Sequence, residues 1–325
     1  MIPIPFAPTI LEHSAALTGH TPSEAARDAS IMAEAHIQAF KTYRPAAVTV
    51  GIDVYNIEAE ALGCHVRFYN DASVPGIVSH PYALESDPGQ IRFSADLGRI
   101  KQILEAASLV RQQLSPDVRI NVGICGPFSV LIELIGYEAA AEAFYDGDER
   151  VFPLLNALLE FQKSYCGEIT ARGLGIIVFE SWASPPLISP DIYRAYAAPY
   201  ELELFTYMKS LGQTARPLVI GGDTRGILDD MLDTGTTLLV SDYNTPLTLY
   251  AGKAHKKGIT LRANIDPKLI LNGDWPLIQA RIREIKTIGS LYPGLNIIAG
   301  TGVIPYNTPP GHLLRVKKYL MENEQ

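Results

Sequence analysis

One unit recurs along this chain and constrains its fold more than any other feature. A short run of β-branched and apolar residues is followed by a small or acidic residue and then by a stretch with helical spacing. Seven such runs occur, at 46–52 (AAVTVGI), 119–124 (RINVGI), 175–179 (GIIVF), 217–220 (PLVI), 237–241 (TLLVS), 259–263 (ITLRA) and 295–299 (LNIIA). Runs that are apolar without alternation suit strands buried on both faces, as in a parallel sheet wrapped by helices. Helical spacing is found at 23–41, 98–113, 152–171, 190–211, 225–233, 246–257 and 275–289, and again from about Pro310. Ser189-Pro190 is a sound helix start, with Ser as cap and Pro in the first turn. Strands that each lead into a helix, with no succession of hairpins, predict a (β/α)8 TIM-type barrel, one domain over 1–325. An eighth strand is not evident. The start of the chain reads as an N-terminal extension, and 64–93, punctuated by Pro75, Pro81 and Pro88, reads as a hairpin excursion. A doubly wound open sheet is the alternative architecture, but no GxGxxG or Walker loop follows any of the runs.

Composition narrows the class of function. A formal charge of −8, with no basic cluster beyond Lys253, Lys256 and Lys257, disfavours a nucleic-acid partner. The widely spaced Cys64, Cys125 and Cys166 form neither a disulfide framework nor a CxxC clip, which fits a reducing cytoplasm. The opening MIPIPFAPTILEHS lacks the basic start and apolar run of a signal peptide, and no stretch has membrane-spanning length. These features lead us to expect a cytoplasmic protein acting on small molecules.

In α/β barrels the chemistry lies where strands end and the following loops begin. Asp53, Glu180, Asp223, Asp242 and Asp266 stand at or just past strand exits, with Ser181, Tyr243, Asn264 and Thr301 beside them. Five carboxylates at seven exits exceed what the acidic content of the chain supplies by chance. Asp is also enriched at turns and helix caps, and Asp223 and Asp266, each leading into a helical segment, are the first candidates for that bland role. Asp53 has no cap to make in VGIDVYNIE and is expected to face the mouth. Asp53, Glu180 and Tyr243 are the candidate catalytic residues. Ser181, Trp182, Asp223, Asp242, Asn264 and Thr301 are candidates for substrate binding. Cys125 before Gly126-Pro127 is expected to be a small buried group. The seven histidines show no i, i+4 pair, and His13 beside Glu12 is the one to watch.

VTVGIDVYNIEAEALG around Asp53, CGPFSVLIELIG at 125–136, FESWASPPLISPDIYRAYAAPY at 179–200, RANIDP at 262–267 and GVIPYNTPPGHL at 302–313 together resemble the uroporphyrinogen decarboxylase superfamily. That superfamily includes corrinoid-dependent methyltransferases acting on coenzyme M. The decarboxylases carry a basic Arg-Gln-Ala-Gly-Arg motif near the N-terminus, whereas this chain has no arginine before Arg27, and Thr301 stands where the resemblance implies a histidine. Asp53 falls where those enzymes contact pyrrole nitrogens. The EAEALGC segment at 58–64 and GPF at 126–128 look more like the methyltransferase branch, which holds zinc with a His-x-Cys pair and a later cysteine. Here those positions are Val219, Gly221 and Gly302, so no zinc and no other metal is expected at the family site. The resemblance implies a methyltransferase-like enzyme moving a methyl group between a small methylated substrate and a corrinoid (cobalamin). The chain has no Asp-x-His-x-x-Gly motif, so the corrinoid is expected free or on a separate corrinoid protein. A tetrapyrrole decarboxylase and a non-catalytic tetrapyrrole or corrinoid carrier are the alternatives, and the resemblance is compatible with a homodimer.

Overall fold

In the computed structural model, which describes residues 3–322, the recurring unit becomes ten strands: β1 (Phe6–Thr9), β2 (Ala47–Val50), β3 (Val66–Arg67), β4 (Gly76–Ile77), β5 (Arg119–Cys125), β6 (Gly175–Phe179), β7 (Leu218–Val219), β8 (Leu238–Ser241), β9 (Thr260–Ile265) and β10 (Ile297–Val303). All seven runs are strands. β3 and β4 pair antiparallel and form the hairpin excursion expected within 64–93. The other eight strands form two parallel four-stranded sheets, ordered β1-β10-β9-β8 and β2-β5-β6-β7. Two narrow seams join them: Pro217 bridges Leu238 between β7 and β8, and the Ala46 N–H donates to the Phe6 carbonyl between β2 and β1, 3.0 Å. The result is a closed barrel, so the open doubly wound alternative falls.

The missing eighth strand is the stretch read as an N-terminal extension. Phe6–Thr9 pairs with β10 in the register Phe6↔Ala299 and Ala7↔Gly300, and slips before Thr9↔Val303. Pro8 has no N–H to give to a ladder, and at this irregularity the Thr301 hydroxyl accepts from Thr9 N–H at 3.1 Å while Thr9 Oγ1 donates to the Thr301 carbonyl at 3.1 Å. Thr301 therefore holds β1 on β10 where their ladder slips. The segment read as one helix over 23–41 is two helices, Pro22–Arg27 and Ala29–Tyr43. Asp28 is extended between them and its carboxylate accepts from Ser30 N–H and Ile31 N–H, capping the second.

Alternation along the strands decides which side chains enter the lumen. Ile177 and Phe179 of β6 point inward and pack with Leu11 and Val54, with Val219, Val303 and Tyr55 against them. This apolar plug divides the lumen between the carboxyl ends of the strands, the mouth, and their amino ends. Below it, Gly300 leaves room for Arg262 and Asn264. A Cβ at 300 would lie 2.2 Å from Arg262 Nε and 2.5 Å from Asn264 Oδ1. We therefore expect Gly300→Ala to destabilise the fold by about 1–3 kcal/mol, seen as a lower urea midpoint at unchanged m-value. An unchanged midpoint would show that the lumen is not packed there.

Candidate active site at the barrel mouth

The sequence places five carboxylates at strand exits, and the structure gives each a different fate. Asp53, 2% exposed, is gripped by Arg99: Nη1 donates to Oδ1 at 2.6 Å and Nη2 to Oδ2 at 2.7 Å. Asn56 Nδ2 donates to the same Oδ2 at 3.0 Å. Arg99 Nε donates to Glu60 Oε2 at 2.5 Å, and the guanidinium stacks on the Phe68 ring. The expected free carboxylate in the mouth is thus one half of a buried bidentate pair, its lone pairs largely taken.

Glu180 follows the inward Phe179 and so turns outward, into the layer between strands and helices. There it is fully buried, and its Oε1 accepts from Ser129 N–H at 2.6 Å, in the first turn of helix Pro127–Ile135. Gly126 makes the room, since a Cβ there would meet Glu180 Oε2 at 1.6 Å. Two further buried carboxylates share this layer. Glu58 accepts from Cys125 N–H at 2.8 Å, and Glu201 accepts from the Tyr193 hydroxyl. Each of the three glutamates keeps one oxygen without a partner. Burial pushes Glu58 and Glu180 up to about 7, and pushes Glu201 up as well, with Glu180 as a like charge beside it.

The remaining three aspartates serve the backbone. Asp223 is exposed, caps the turn at Thr224–Ile227 and pairs with Arg225, and Asp266 caps helix Pro267–Asn272 through Lys268 N–H at 2.8 Å. Asp242 Oδ2 accepts from Gly222 N–H at 2.7 Å, which laces β7 to β8 above the point where their ladder stops. Its Oδ1 accepts from Tyr243 N–H at 2.8 Å. Tyr243 stands half-buried beside Asp242 and Asp266, its phenol raised first by burial and then by those two charges. It lies two strands round the barrel from Glu180. Asn264 is buried at the end of β9, with Oδ1 unpartnered. The three expected catalytic residues are therefore not brought together.

What the mouth does assemble is a cavity of about 230 Å³ at the exits of β5 and β6, lined by Tyr55, Cys125, Ser129, Glu133, Ser181 and Trp182. Ser181 and Trp182 were read from the sequence as binding residues. Trp182 stacks on Tyr137 at 5.3 Å and donates from Nε1 to Glu133 Oε1 at 2.7 Å. Ser181 faces the Tyr55 hydroxyl, whose phenol burial raises to about 12. The Cys125 thiol is pushed well up by burial and by Glu58, and it points at the Val54 and Tyr55 carbonyls, so it is the inert group expected. Burial also raises Glu133, against the donation from Trp182. Sequence reasoning missed Tyr55 and Glu133, although Glu133 is the lone charge in the apolar helix PFSVLIELI. It also missed Glu12, raised by burial to about 7. His13 is a structural tie, between the Tyr43 hydroxyl at 2.8 Å and the Tyr306 carbonyl at 3.1 Å.

The positions where the resemblance puts zinc ligands do not fit a metal. Val219 packs against the apolar plug, and Gly221 and Gly302 have no side-chain donor. Among the described residues no three His, Cys, Asp or Glu side chains gather as a metal site. No described helix is long and apolar enough to cross a membrane.

Fold and mouth together define an α/β barrel with a pocket at the carboxyl ends of its strands. The uroporphyrinogen decarboxylase (URO-D) family model matches residues 2–321, and the chain belongs to that family. Among characterised relatives, it is 28% identical over 260 residues to the methylcobamide:CoM methyltransferase MtbA of Methanosarcina mazei, covering 78% of this chain and 75% of the relative. It is 27% identical to MtaA of Methanosarcina barkeri, also named methylcobamide:CoM methyltransferase, over 76% of this chain and 71% of that one. A uroporphyrinogen decarboxylase of Arthrobacter sp. strain FB24 is 33% identical over 140 residues, 43% of this chain and 38% of the relative. The solved structure of a methyltransferase from Methanosarcina mazei superposes with a TM-score of 0.85 at 21% identity, covering 98% of this chain and 94% of that one.

Two predictions follow from the buried charges. Arg99→Met strands the Asp53 carboxylate and should cost about 3–5 kcal/mol, while Asp53→Leu with Arg99→Met should recover much of that loss in urea titrations. An equal loss in both proteins would mean that the pair is not electrostatically closed. Glu58 and Glu180 bind protons more tightly folded, at about 7, than their ordinary 4.5. Their contribution is therefore full below about 4.5 and is lost as pH rises through about 7. Stability measured across pH 4.5–7.5 should decline with a slope that Glu58→Gln and Glu180→Gln each flatten.

Proposed function

We propose that this chain is an enzyme that transfers a methyl group between a small methylated compound and a corrinoid supplied free or by a separate protein. The observation that carries the reading is Glu133, a carboxyl with raised proton affinity on the wall of a pocket otherwise made of hydroxyl, thiol and aromatic groups, in a chain related to methylcobamide methyltransferases. A volume of about 230 Å³ suits a small ligand and is below the usual range for larger ones. A corrinoid macrocycle would have to meet the donor from outside it. When bound there, the corrinoid supplies the cobalt centre that gives or takes the methyl group.

This chain's share is to hold the donor and manage one proton. When a methyl group leaves oxygen, nitrogen or sulfur, the bonding pair stays on the heteroatom, which must be protonated. Trp182 Nε1–H occupies Glu133 Oε1, so Oε2 is the oxygen assigned to carry the proton to the leaving atom. Tyr55 and Ser181 position the donor from the opposite wall, Trp182 covers it, and Cys125 with the plug keeps water from below. Tyr243 and Asp242 belong to the other side of the mouth and are assigned to contacts with the incoming partner, whereas Asn264 is buried beside Arg262 against Gly300 and is given no such contact. Asp53 is assigned to positioning, through Arg99. Thiol activation by zinc has no ligands at Val219, Gly221 and Gly302. Porphyrinogen decarboxylation is the less favoured reading, because it asks Asp53 to contact pyrrole nitrogens while its carboxylate is closed on Arg99.

The test is anaerobic: cob(I)alamin mixed with the protein and a panel of methyl ethers, methylamines and methyl thioethers, following Co(I) absorbance. One donor class should consume the Co(I) signal. Glu133→Gln should slow that reaction by about 10²-fold or more, and the wild-type rate should fall on the alkaline side as Glu133 loses its proton. Full activity in Glu133→Gln removes the acid. No reaction with any donor in folded protein removes methyl transfer.

A further inference from the structure

Below the apolar plug the barrel lumen is not packed shut. A cavity of about 310 Å³ opens between the strand starts, with Ile177 and Phe179 as its roof and Leu238 and Ile298 in its walls. Barrel interiors of this kind are ordinarily filled by layers of side chains. Because Ile177 and Phe179 belong to both the cavity and the plug, this space is separate from the pocket around Glu133.

β9 sends Arg262, 7% exposed, into the cavity. All three of its hydrogen bonds are made by Nη2, to the Ala7 carbonyl at 3.3 Å, the Thr301 carbonyl at 3.0 Å and Thr9 Oγ1. Its Nε is buried with no acceptor. Burial brings the guanidinium down only to about 10, and the one group acting against that is the Tyr55 phenol, itself raised to about 12. Arg262 is therefore charged at neutral pH and has no carboxylate beside it. No residue lining the cavity is acidic, and a second cation, Arg119, stands at the rim. A buried cation with unused donors and no counter-charge is costly, and an anion sharing its space offsets that cost.

We propose that this lumen cavity binds a short-chain aliphatic monocarboxylate, its carboxylate on Arg262 Nη1, the guanidinium nitrogen that has no protein partner and is not sealed from the cavity, and its alkyl chain against Ile177, Phe179, Leu238 and Ile298. One negative charge balances the one unpaired buried guanidinium, and a planar carboxylate matches guanidinium donor geometry. The apolar walls select for a chain behind the charge, which a phosphate or a halide lacks.

The experiment is titration calorimetry of the full chain with sodium butyrate, alongside thermal unfolding in butyrate, sodium chloride and sodium phosphate at equal ionic strength. Butyrate should bind saturably at one site per chain and raise the unfolding midpoint, while chloride and phosphate should not. Arg262→Met should weaken butyrate at least tenfold. Ile298→Phe, which fills the cavity and keeps the arginine, should do the same and decides the matter if Arg262→Met does not fold. Absence of saturable butyrate binding, undiminished affinity in Ile298→Phe, or equal binding of phosphate would each overturn the proposal. None of these readouts involves a corrinoid, so failure here leaves the methyl-transfer reading where it stands.

Discussion

Everything at the mouth depends on a parallel sheet closing on itself, because only a closed ring brings eight strand exits to one face. The backbone ladder alone does not complete the ring. β7 is two residues long and meets β8 through a single bridge, and β1 is interrupted by Pro8. Side chains finish the closure where carbonyls and amides stop. Asp242 accepts the Gly222 N–H across the β7–β8 seam, and Thr301 exchanges hydrogen bonds with Thr9 to keep β1 on β10, without which β1 could not reach β2. The Thr9 N–H is half-buried, and an amide left unpaired away from water costs about 1–3 kcal/mol, so Thr301 is held in place by the sheet as firmly as it holds it. That is why residues at strand exits, where chemistry is expected, turn out to be structural.

The same barrel settles buried charge in three ways. Asp53 is closed by a bidentate arginine. Glu58, Glu180 and Glu201 lie in the layer between strands and helices with no cation beside them, and burial there favours the protonated form. Arg262 stands in the lumen with neither remedy. The first two arrangements stiffen the loops after β2 and β6, which carry Tyr55, Ser181 and Trp182 to the pocket. The pocket is thus supported from behind by groups that never touch its contents.

The alternation of strand and helix was legible because β-branched runs without polar alternation have few other uses in a chain of this length. The eighth strand was not, since FAPT is four residues long, contains a proline and reads as coil until β10 is there to pair with it. Positions at strand exits could be read from the sequence, but directions could not. Glu180 sits one residue beyond an inward phenylalanine and so faces the helices, a parity set by which residues of GIIVF fill the lumen. Asp53 gave no sign of Arg99, which lies 46 residues further along the chain. Glu133 was legible in principle, as the one charge on an apolar helix, because burial of a lone carboxyl there needs a purpose.

The position of β1 also sets the order of assembly. Phe6–Thr9 is the first of the eight barrel strands in chain order, yet its ladder partner Ala299 lies in the last of them, and its other neighbour offers a single hydrogen bond. Leu11, which helps to seal the lumen, is tied to the same segment. Because β10 lies between β1 and β9, a chain without it would leave both of those edges unpaired and the lumen open to solvent, the condition in which parallel sheets are most exposed to aggregation. The short, proline-broken edge of β1 is a poor template for a stray strand, so the irregularity that hides this strand from view also protects the chain while it waits.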